Sequence, residues 1–185
     1  ATTEIYTLSL HDALPIPAWV DGVLTPVEKL EVHRRGLRHK AVSVFVLRDG
    51  ETLIQQRAAG KYHSPLQWAN ACCTHPMWDE DGAACAARRL DEELGLSGLA
   101  MSPRPGIEYR AEVGGGLTEH EVVEVFTAEA RAGQEPTPNP EEVAATEWLT
   151  FDALRARIAA DPDAFTPWLR IYVADHLAAI LGQPA

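Results

Sequence analysis

Positive charge is scarce in this chain. Its 185 residues hold 16 Lys and Arg against 27 Asp and Glu, a formal net charge of −11. A field of that sign excludes nonspecific binding to nucleic acid or to an anionic membrane surface. An anionic ligand would need a local basic cluster to overcome it. Cysteine is scarce too: there are three, an odd count, and Cys72 and Cys73 are adjacent. That makes a poor disulfide framework and suits a reducing cytoplasm. No apolar run approaches the length of a bilayer span, so no membrane insertion is expected. The N-terminus lacks the basic region of a signal peptide. What is present is 46% hydrophobic and 23% charged content, the balance of a soluble globular chain. The length suits one domain with a full core, over residues 18–185.

Residues 1–17 connect to no pattern further along, and read as an N-terminal extension that is foreign, disordered or a strand. Residues 41–47 (Ala-Val-Ser-Val-Phe-Val-Leu) are apolar and β-branched and predict a buried strand; Asp49-Gly50 is a hairpin signal, and residues 52–57 return as its partner. A short strand follows over 68–74. Residues 81–94 predict a helix with Ala83, Ala86, Ala87, Leu90 and Leu94 inward, stopped by Gly95. Strands over 107–113 and 119–129 flank Gly114-Gly115-Gly116, and another covers 144–149. Thr150 can cap a helix over 151–160, and Thr166-Pro167 can open one over 168–181. Residues 134–140 form a proline-rich loop. The order predicts an α+β fold, a mixed central sheet sandwiched between helices.

The chemistry concentrates between Asn70 and Leu96. Counting back from Gly95 gives Glu93, Glu92, Leu90 and Arg88, with Glu80 eight residues before Arg88. This spacing resembles the Nudix box of proteins that act on diphosphates. Adjacent carboxylates near a helix end can hold Mg²⁺, which neutralises diphosphate oxygens. Arg88 with Glu92, and Arg89 with Glu93, are four apart and can pair along one face. A solvated, salt-bridged helix would show the same acids and arginines, and the full spacing with Glu80 and Gly95 counts against it. Two positions depart from the box. Thr74 stands where it begins with glycine, and Arg89 stands where it has the glutamate after the arginine. A cation in place of that acid weakens hydrolysis and favours holding a diphosphate as a handle.

Residues two apart on a strand share a face, so Cys73 and His75 point together and Cys72 points away. By the same rule Glu119 and Glu121 share a face and His120 does not. Two acids on an otherwise apolar strand need solvent or a metal. His33 and His39 flank a basic turn. If they converge with His75, Glu119 and Glu121, the set of three imidazoles and two carboxylates suits Zn²⁺ or Mn²⁺; spacing alone leaves the convergence open. Lys29, Arg57, Lys61 and Arg89 are candidates for the local anion cluster.

Together these residues resemble the type 1 isopentenyl-diphosphate isomerases, a Nudix-fold family, over residues 20–172. The matching pieces are Glu28-Lys29-Leu30 with His33 and His39, Ser43-Val44-Phe45-Val46, and Gln56-Arg57-Ala58 with Lys61. They continue with Trp68, Asn70, Cys73 and His75-Pro76, then Ala87-Arg88-Arg89-Leu90 with Glu93-Leu94-Gly95. Tyr109-Arg110-Ala111, Glu119-His120-Glu121 and Phe165-Thr166-Pro167-Trp168 complete the set. The resemblance implies interconversion of isopentenyl and dimethylallyl diphosphates through a tertiary carbocation, in isoprenoid biosynthesis. It implies that Cys73 exchanges one proton and Glu121, assisted by Tyr109, the other. Trp168 would face the cation. His33, His39, His75, Glu119 and Glu121 would hold Mn²⁺ or Zn²⁺, and Glu93 would hold Mg²⁺ on a diphosphate surrounded by Lys29, Arg57, Lys61 and Arg89. The partner expected is a small allylic or homoallylic diphosphate, and the protein a cytoplasmic monomer or weak dimer. A Nudix diphosphate hydrolase and a non-catalytic diphosphate sensor are the alternatives. Arg89 and the otherwise idle Cys73 count against the first, and the complete acid–base set against the second.

Overall fold

The structure is a computed structural model and describes residues 14–182. Residues 1–13 of the N-terminal segment lie outside the described residues. Pro15, Ile16 and Pro17 begin strand β1 (Pro15–Val20), which turns through Asp21-Gly22 into β2 (Val23–Glu28). Helix α1 (Lys29–Arg35) follows at once. The sequence offers a strand as one alternative for residues 1–17 and marks neither β2 nor α1. Pro15, Pro17 and Pro26 sit in a hairpin at the sheet margin, joined to the rest through Ala18 opposite His39, where a missing backbone N–H is tolerated.

Strand β3 (Arg38–Arg48) is the axis of the sheet. It turns at Asp49-Gly50, both at positive φ, into β4 (Glu51–Arg57). The strand expected over 68–74 is two strands. β5 (Trp68–Asn70) lies on β4 and β6 (Cys72–Thr74) lies on β3, with Ala71 at the crossing between neighbours. β7 (Ser102–Gly114) and β8 (Leu117–Glu129) form the long hairpin, and β8 runs parallel to β3. β9 (Val143–Thr150) pairs with the outer side of β4. The sheet is thus mixed.

The alternation of β3 divides the core. Val42, Val44 and Val46 pack under helix α2 (Gly82–Leu94), while Ala41 and Phe45 face the C-terminal helices. Asp81 caps α2 by accepting from the N–H groups of Ala83 and Ala84, and Gly95 closes it in the left-handed conformation at φ 63°. The expected inward stripe needs one correction: Ala87 is exposed, and Cys85, Arg89 and Glu93 are buried beside Ala86, Leu90 and Leu94. The buried sector is wide enough to include charged residues because Arg89 and Glu93 neutralise each other. Thr150 caps α3 (Phe151–Ala160), as its position predicts. The helix expected over 168–181 begins as α4 (Pro167–Ile171), widens into a π-type turn over Tyr172–His176, and ends as α5 (Leu177–Ile180). The Thr166 N–H donates to the Trp68 carbonyl at 2.9 Å, which fixes where Trp168 enters the core. This is the expected α+β architecture, a sheet between helical layers.

Candidate active site

One cleft gathers most of the candidate residues. Lys29, Arg57, Lys61, Cys73, His75, Arg89, Glu93, Tyr109, Glu119, Glu121 and Trp168 all line it, joined by Gln55, His63 and Glu142. His33 and His39 lie behind its wall, fully buried. Strand register does most of the gathering: Ser43 lies opposite Cys73, His39 beside Glu121, and Tyr109 opposite Glu121. Cys72 points the other way, into the apolar layer under α2. His120 likewise leaves the cleft and meets Glu108 at 3.3 Å.

The imidazole end is built for a cation. His33 Nδ1 donates to the Lys29 carbonyl at 2.7 Å and His39 Nδ1 to the Leu37 carbonyl at 2.7 Å. Each ring therefore keeps its lone pair on Nε2, and both Nε2 atoms are buried without a hydrogen-bond partner. Donor atoms of His33, His39 and His75 lie within 4.8 Å of one another. Burial drives His33 and His75 toward the neutral form: His33 is lowered to about 2, with His75 and His39 adding to the effect, and His75 to about 4. Neutral rings are the ligating form. Glu121 Oε1 sits 3.1 Å from His75 Nε2 and 3.7 Å from His39 Nε2.

The two acids differ. Tyr109 Oη lies 2.8 Å from Glu119 Oε2 and 2.8 Å from Glu121 Oε2. One phenol proton serves one of these contacts, and the other needs a proton from a carboxyl. Burial and the neighbouring Glu121 push Glu119 well up, so it keeps that proton. Burial acts on Glu121 as well, but His39 and His75 outweigh it and hold Glu121 below the usual carboxylate range. A divalent cation among these groups would take the place of the shared proton. Buried lone pairs with no partner, beside two buried acids, fit such an ion.

Cys73 is held in a closed ring of hydrogen bonds. Its S–H donates to Asn70 Oδ1 at 3.1 Å, Ser43 Oγ lies 3.2 Å from the sulfur, and Asn70 Nδ2 donates to Ser43 Oγ at 2.9 Å. Burial raises the thiol far above its ordinary value, so it is an acid and not a thiolate. Trp168 lines the cleft at 1% exposure, with the Arg57 guanidinium 5.3 Å from its ring centre.

The other end of the cleft is built from fixed charges. Arg89 Nη2 donates to Glu93 Oε1 at 2.6 Å, and Gln55 Nε2 donates to Glu93 Oε2 at 3.0 Å. Burial acts against the charge on Glu93, and Arg89 and Lys61 outweigh it, holding the acid below its ordinary value. Arg88 is committed elsewhere, to Glu80 at 2.7 Å and Glu92 at 3.1 Å.

Besides Gln55, two residues of this site escape a reading of the sequence. Glu142 is buried and pairs with Lys61 and with Arg89, the latter at 3.5 Å. The proline-rich loop delivers it: Thr137 and Asn139 donate to the Leu94 and Glu93 carbonyls at 2.7 and 2.9 Å, closing the end of α2, and the Glu142 N–H donates to the Asn139 carbonyl. A side chain on Gly95 would run into Thr137. His63 is buried between Trp168 and Tyr62, with Nε2 3.7 Å from Glu119 Oε1. Burial, and then Arg57, keep it neutral. Arg57, expected at a diphosphate, donates to the carbonyls of Ser64 at 3.2 Å and His63 at 3.1 Å and so shapes the His63 loop.

Sheet, capped acidic helix and cleft define a Nudix-fold protein. The NUDIX domain family matches residues 37–169. Among solved structures, a protein from Deinococcus radiodurans has a TM-score of 0.61 at 22% identity over 72% of this chain and 80% of its own. A MutT NUDIX hydrolase from Burkholderia pseudomallei has a TM-score of 0.59 at 22% identity over 75% of this chain and 98% of its own. These share the fold. Curated relatives are much closer in sequence. The isopentenyl-diphosphate Delta-isomerase of Rhodobacter capsulatus is 63% identical over 161 residues, 87% of this chain and 92% of that one. That of Dinoroseobacter shibae is 60% identical over 170 residues, 92% and 97% of the two chains. The chain belongs to the isopentenyl-diphosphate isomerase family of the Nudix superfamily.

Proposed function

We propose that the protein interconverts isopentenyl and dimethylallyl diphosphates, moving a double bond by protonation and deprotonation through a tertiary carbocation. The observation that carries the reading is a half-buried thiol, kept protonated, sharing a cleft with the Tyr109–Glu121 pair and with an indole ring. An alkene is a poor base, so its protonation needs an acid held close to carbon in a dry site. Cys73 is that acid. To give up its proton it must leave Asn70 Oδ1, and the Ser43 hydroxyl, itself held by the Asn70 Nδ2 group, then donates to the thiolate. These two residues position the sulfur. Glu121 removes the proton from the far carbon, and Tyr109, donating to the carboxylate, fixes which oxygen faces the substrate. Trp168 lends its ring to the cation, worth on the order of 0.5–2 kcal/mol.

His33, His39, His75, Glu119 and Glu121 would hold a divalent cation, Mn²⁺ or Zn²⁺ by their donor set, whose charge polarises the carboxylate and fixes its orientation. Glu93 would hold Mg²⁺ against the diphosphate, whose charge that ion neutralises. Arg89, Lys61 and Lys29 bind the diphosphate oxygens. Arg89 and Lys61 must then share or exchange their present partners, Glu93 and Glu142. Arg57 contributes from the wall it builds. The substrate is a small molecule, and the three free cysteines support a reducing, cytoplasmic setting. The domain is taken to run from residue 18 onward with 1–17 as an extension, whose residues 15–17 begin strand β1.

The test is one incubation with isopentenyl diphosphate and Mg²⁺ in D₂O, followed by NMR. Dimethylallyl product carrying deuterium supports the reading. Release of inorganic phosphate or pyrophosphate points to a hydrolase, and binding without turnover in a metal-replete sample to a sensor.

A further inference from the structure

His63 takes no part in the reaction as described, yet it is placed like a ligand. Its ring lies 5.7 Å from that of His33, centre to centre, at an interplanar angle of 26°. Donor atoms of His33, His63 and Glu119 all lie within 4.8 Å of one another, a second group of three that shares His33 with the group formed by His33, His39 and His75. The atom that faces the acid is Nε2, at 3.7 Å from Glu119 Oε1. That is the same separation as between His39 Nε2 and Glu121 Oε1. It is too long for a hydrogen bond. It suits two atoms drawn toward one ion, since ligands at roughly 2.0–2.2 Å from a metal stand about 3–3.5 Å apart.

The ring is also held for the purpose. Nδ1 lies 3.4 Å from Ser64 Oγ, which can accept a proton from it; in that tautomer the lone pair falls on Nε2. With that tautomer, Nε2 and the carboxylate oxygen are two electron-rich atoms facing each other, which a cation between them relieves. The backbone cannot swing the ring away, because the carbonyls of His63 and Ser64 both accept from the Arg57 guanidinium. Tyr62 and Trp168 close on the ring from the sides, at centroid distances of 4.5 and 5.9 Å. Pinning of this kind is what outer groups do for metal ligands.

We propose that His63 is a fourth imidazole ligand of the divalent-cation site, binding the same single ion through Nε2. The inference rests on the cation reading above and adds a residue to it. A nitrogen-richer set shifts preference toward Zn²⁺ and Co²⁺ and away from Mn²⁺, which is at home among oxygen ligands.

The full chain is stripped with a chelator, reloaded with one equivalent of Zn²⁺, and examined by X-ray absorption at the zinc edge. Four imidazole ligands are expected, and three overturn the proposal without any variant. In parallel, Zn²⁺ and Mn²⁺ are titrated against a chromophoric competitor in wild type, His63→Phe and His63→Ala. Phenylalanine keeps the packing against Tyr62 and Trp168. Zn²⁺ affinity should fall tenfold or more in both variants, on the order of the 10–100-fold losses seen for support groups or greater, with a smaller fall for Mn²⁺. The visible spectrum of the Co²⁺ form should change as well. Unchanged Zn²⁺ affinity and Co²⁺ spectrum in a folded His63→Phe protein overturn it, leaving His63 a packing residue. Wild-type turnover is measured separately: an active enzyme with three imidazoles sinks only the role of His63, whereas an inactive one with four sinks only the isomerase reading.

Discussion

The two ends of the cleft balance charge in opposite ways. At the imidazole end Glu119 and Glu121 face His39, His33, His63 and His75, and burial keeps the last three neutral, so that they offer lone pairs. That end lacks positive charge and calls for a cation. At the helix end Glu93 and Glu142 face Arg89 and Lys61, cationic side chains that are already paired. That end has its cations in place and must trade partners to admit an anion. On the proposed reading the same residue type, a buried glutamate, would serve as metal ligand to the imidazole-end cation in one place, and in the other, as Glu142, as a placeholder for the diphosphate beside Glu93. What differs is whether the opposing nitrogen carries a fixed proton.

The sharpest way to break this contrast is to remove the two proton-transfer groups in turn and, at the other end, Glu93. Cys73→Ala and Glu121→Gln should lower turnover by about 10²–10⁴-fold, the range that a positioned proton-transfer group supplies. Binding of the diphosphate should survive, as read by calorimetry with isopentenyl diphosphate. Glu93→Gln should instead raise KM and the Mg²⁺ concentration needed for half-maximal rate. If Cys73→Ala retains wild-type kcat, the thiol has no part in the reaction. If Glu93→Gln changes only kcat, the division into a reacting end and a holding end fails.

Acidification separates the ends by stability. In the metal-stripped protein, His75 falls from an ordinary 6.5 to about 4, His33 to about 2, and His63 lies well below its ordinary value. The unfolded chain takes up protons at these rings below pH 6.5, and the folded chain does not. The stability they allow is full above pH 6.5 and is lost as pH falls toward 4. Glu119, raised by burial, contributes in the opposite sense, losing stability as pH rises above 4.5, but it is one group against three. Denaturant midpoints of stripped protein should therefore drop steeply between pH 6.5 and 4.5. Loading with Zn²⁺ should delay that drop, because the metal holds the rings deprotonated. A flat profile over that interval in stripped protein would show that these imidazoles are solvated.

A smaller effect probes the placeholder. Glu142→Gln removes a negative charge from Lys61 and Arg89 while leaving Glu93 on Arg89. Inorganic pyrophosphate and the substrate should then bind about three- to tenfold tighter, a gain of roughly 0.7–1.4 kcal/mol. Weaker binding would mean that Glu142 orients the two cations for the anion and does not compete with it.

Regular backbone made much of this site legible beforehand. The period of two on strands predicts that Cys73 and His75 share a side, and Glu119 with Glu121, because alternation is a property of the local chain. The four-residue spacing on α2 predicts the Arg88–Glu92 and Arg89–Glu93 pairs, seen at 3.1 and 2.6 Å. Irregular backbone hid the rest. His63 sits in a loop with Ser64 and Leu66 at positive φ, bent by hydrogen bonds from Arg57, so its direction has no local rule. Glu142 depends on the exposed carbonyls at the end of α2, contacts made across more than 40 positions of sequence. For Arg57 the residue type was plain but its partners were not, since an arginine's five donors suit a carbonyl as well as a phosphate. The hairpin of β1 and β2 was masked by prolines, although Asp21-Gly22 is the turn signal that would have marked it.

The least change should come from the residue next to the most sensitive one. Cys72 is fully buried against α2, with its sulfur 3.8 Å from Glu93 Oε1, and it packs among Leu53, Ala86 and Leu90. Cys72→Ala removes one sulfur from a close-packed layer, at a cost of about 1 kcal/mol in unfolding free energy. Its side chain reaches neither Asn70 Oδ1 nor the cleft, because one step along β6 reverses the face. Turnover should stay within about twofold of wild type. The pair therefore tests register directly. Cys73→Ala should be stable and inactive, and Cys72→Ala slightly less stable and active, with denaturation curves and NMR turnover read on the same samples. A one-residue slip of β6 against β3 would exchange the two results, placing Cys72 opposite Ser43. It would also turn His75 away from Glu121, so the cation site and the thiol stand or fall on a single strand pairing.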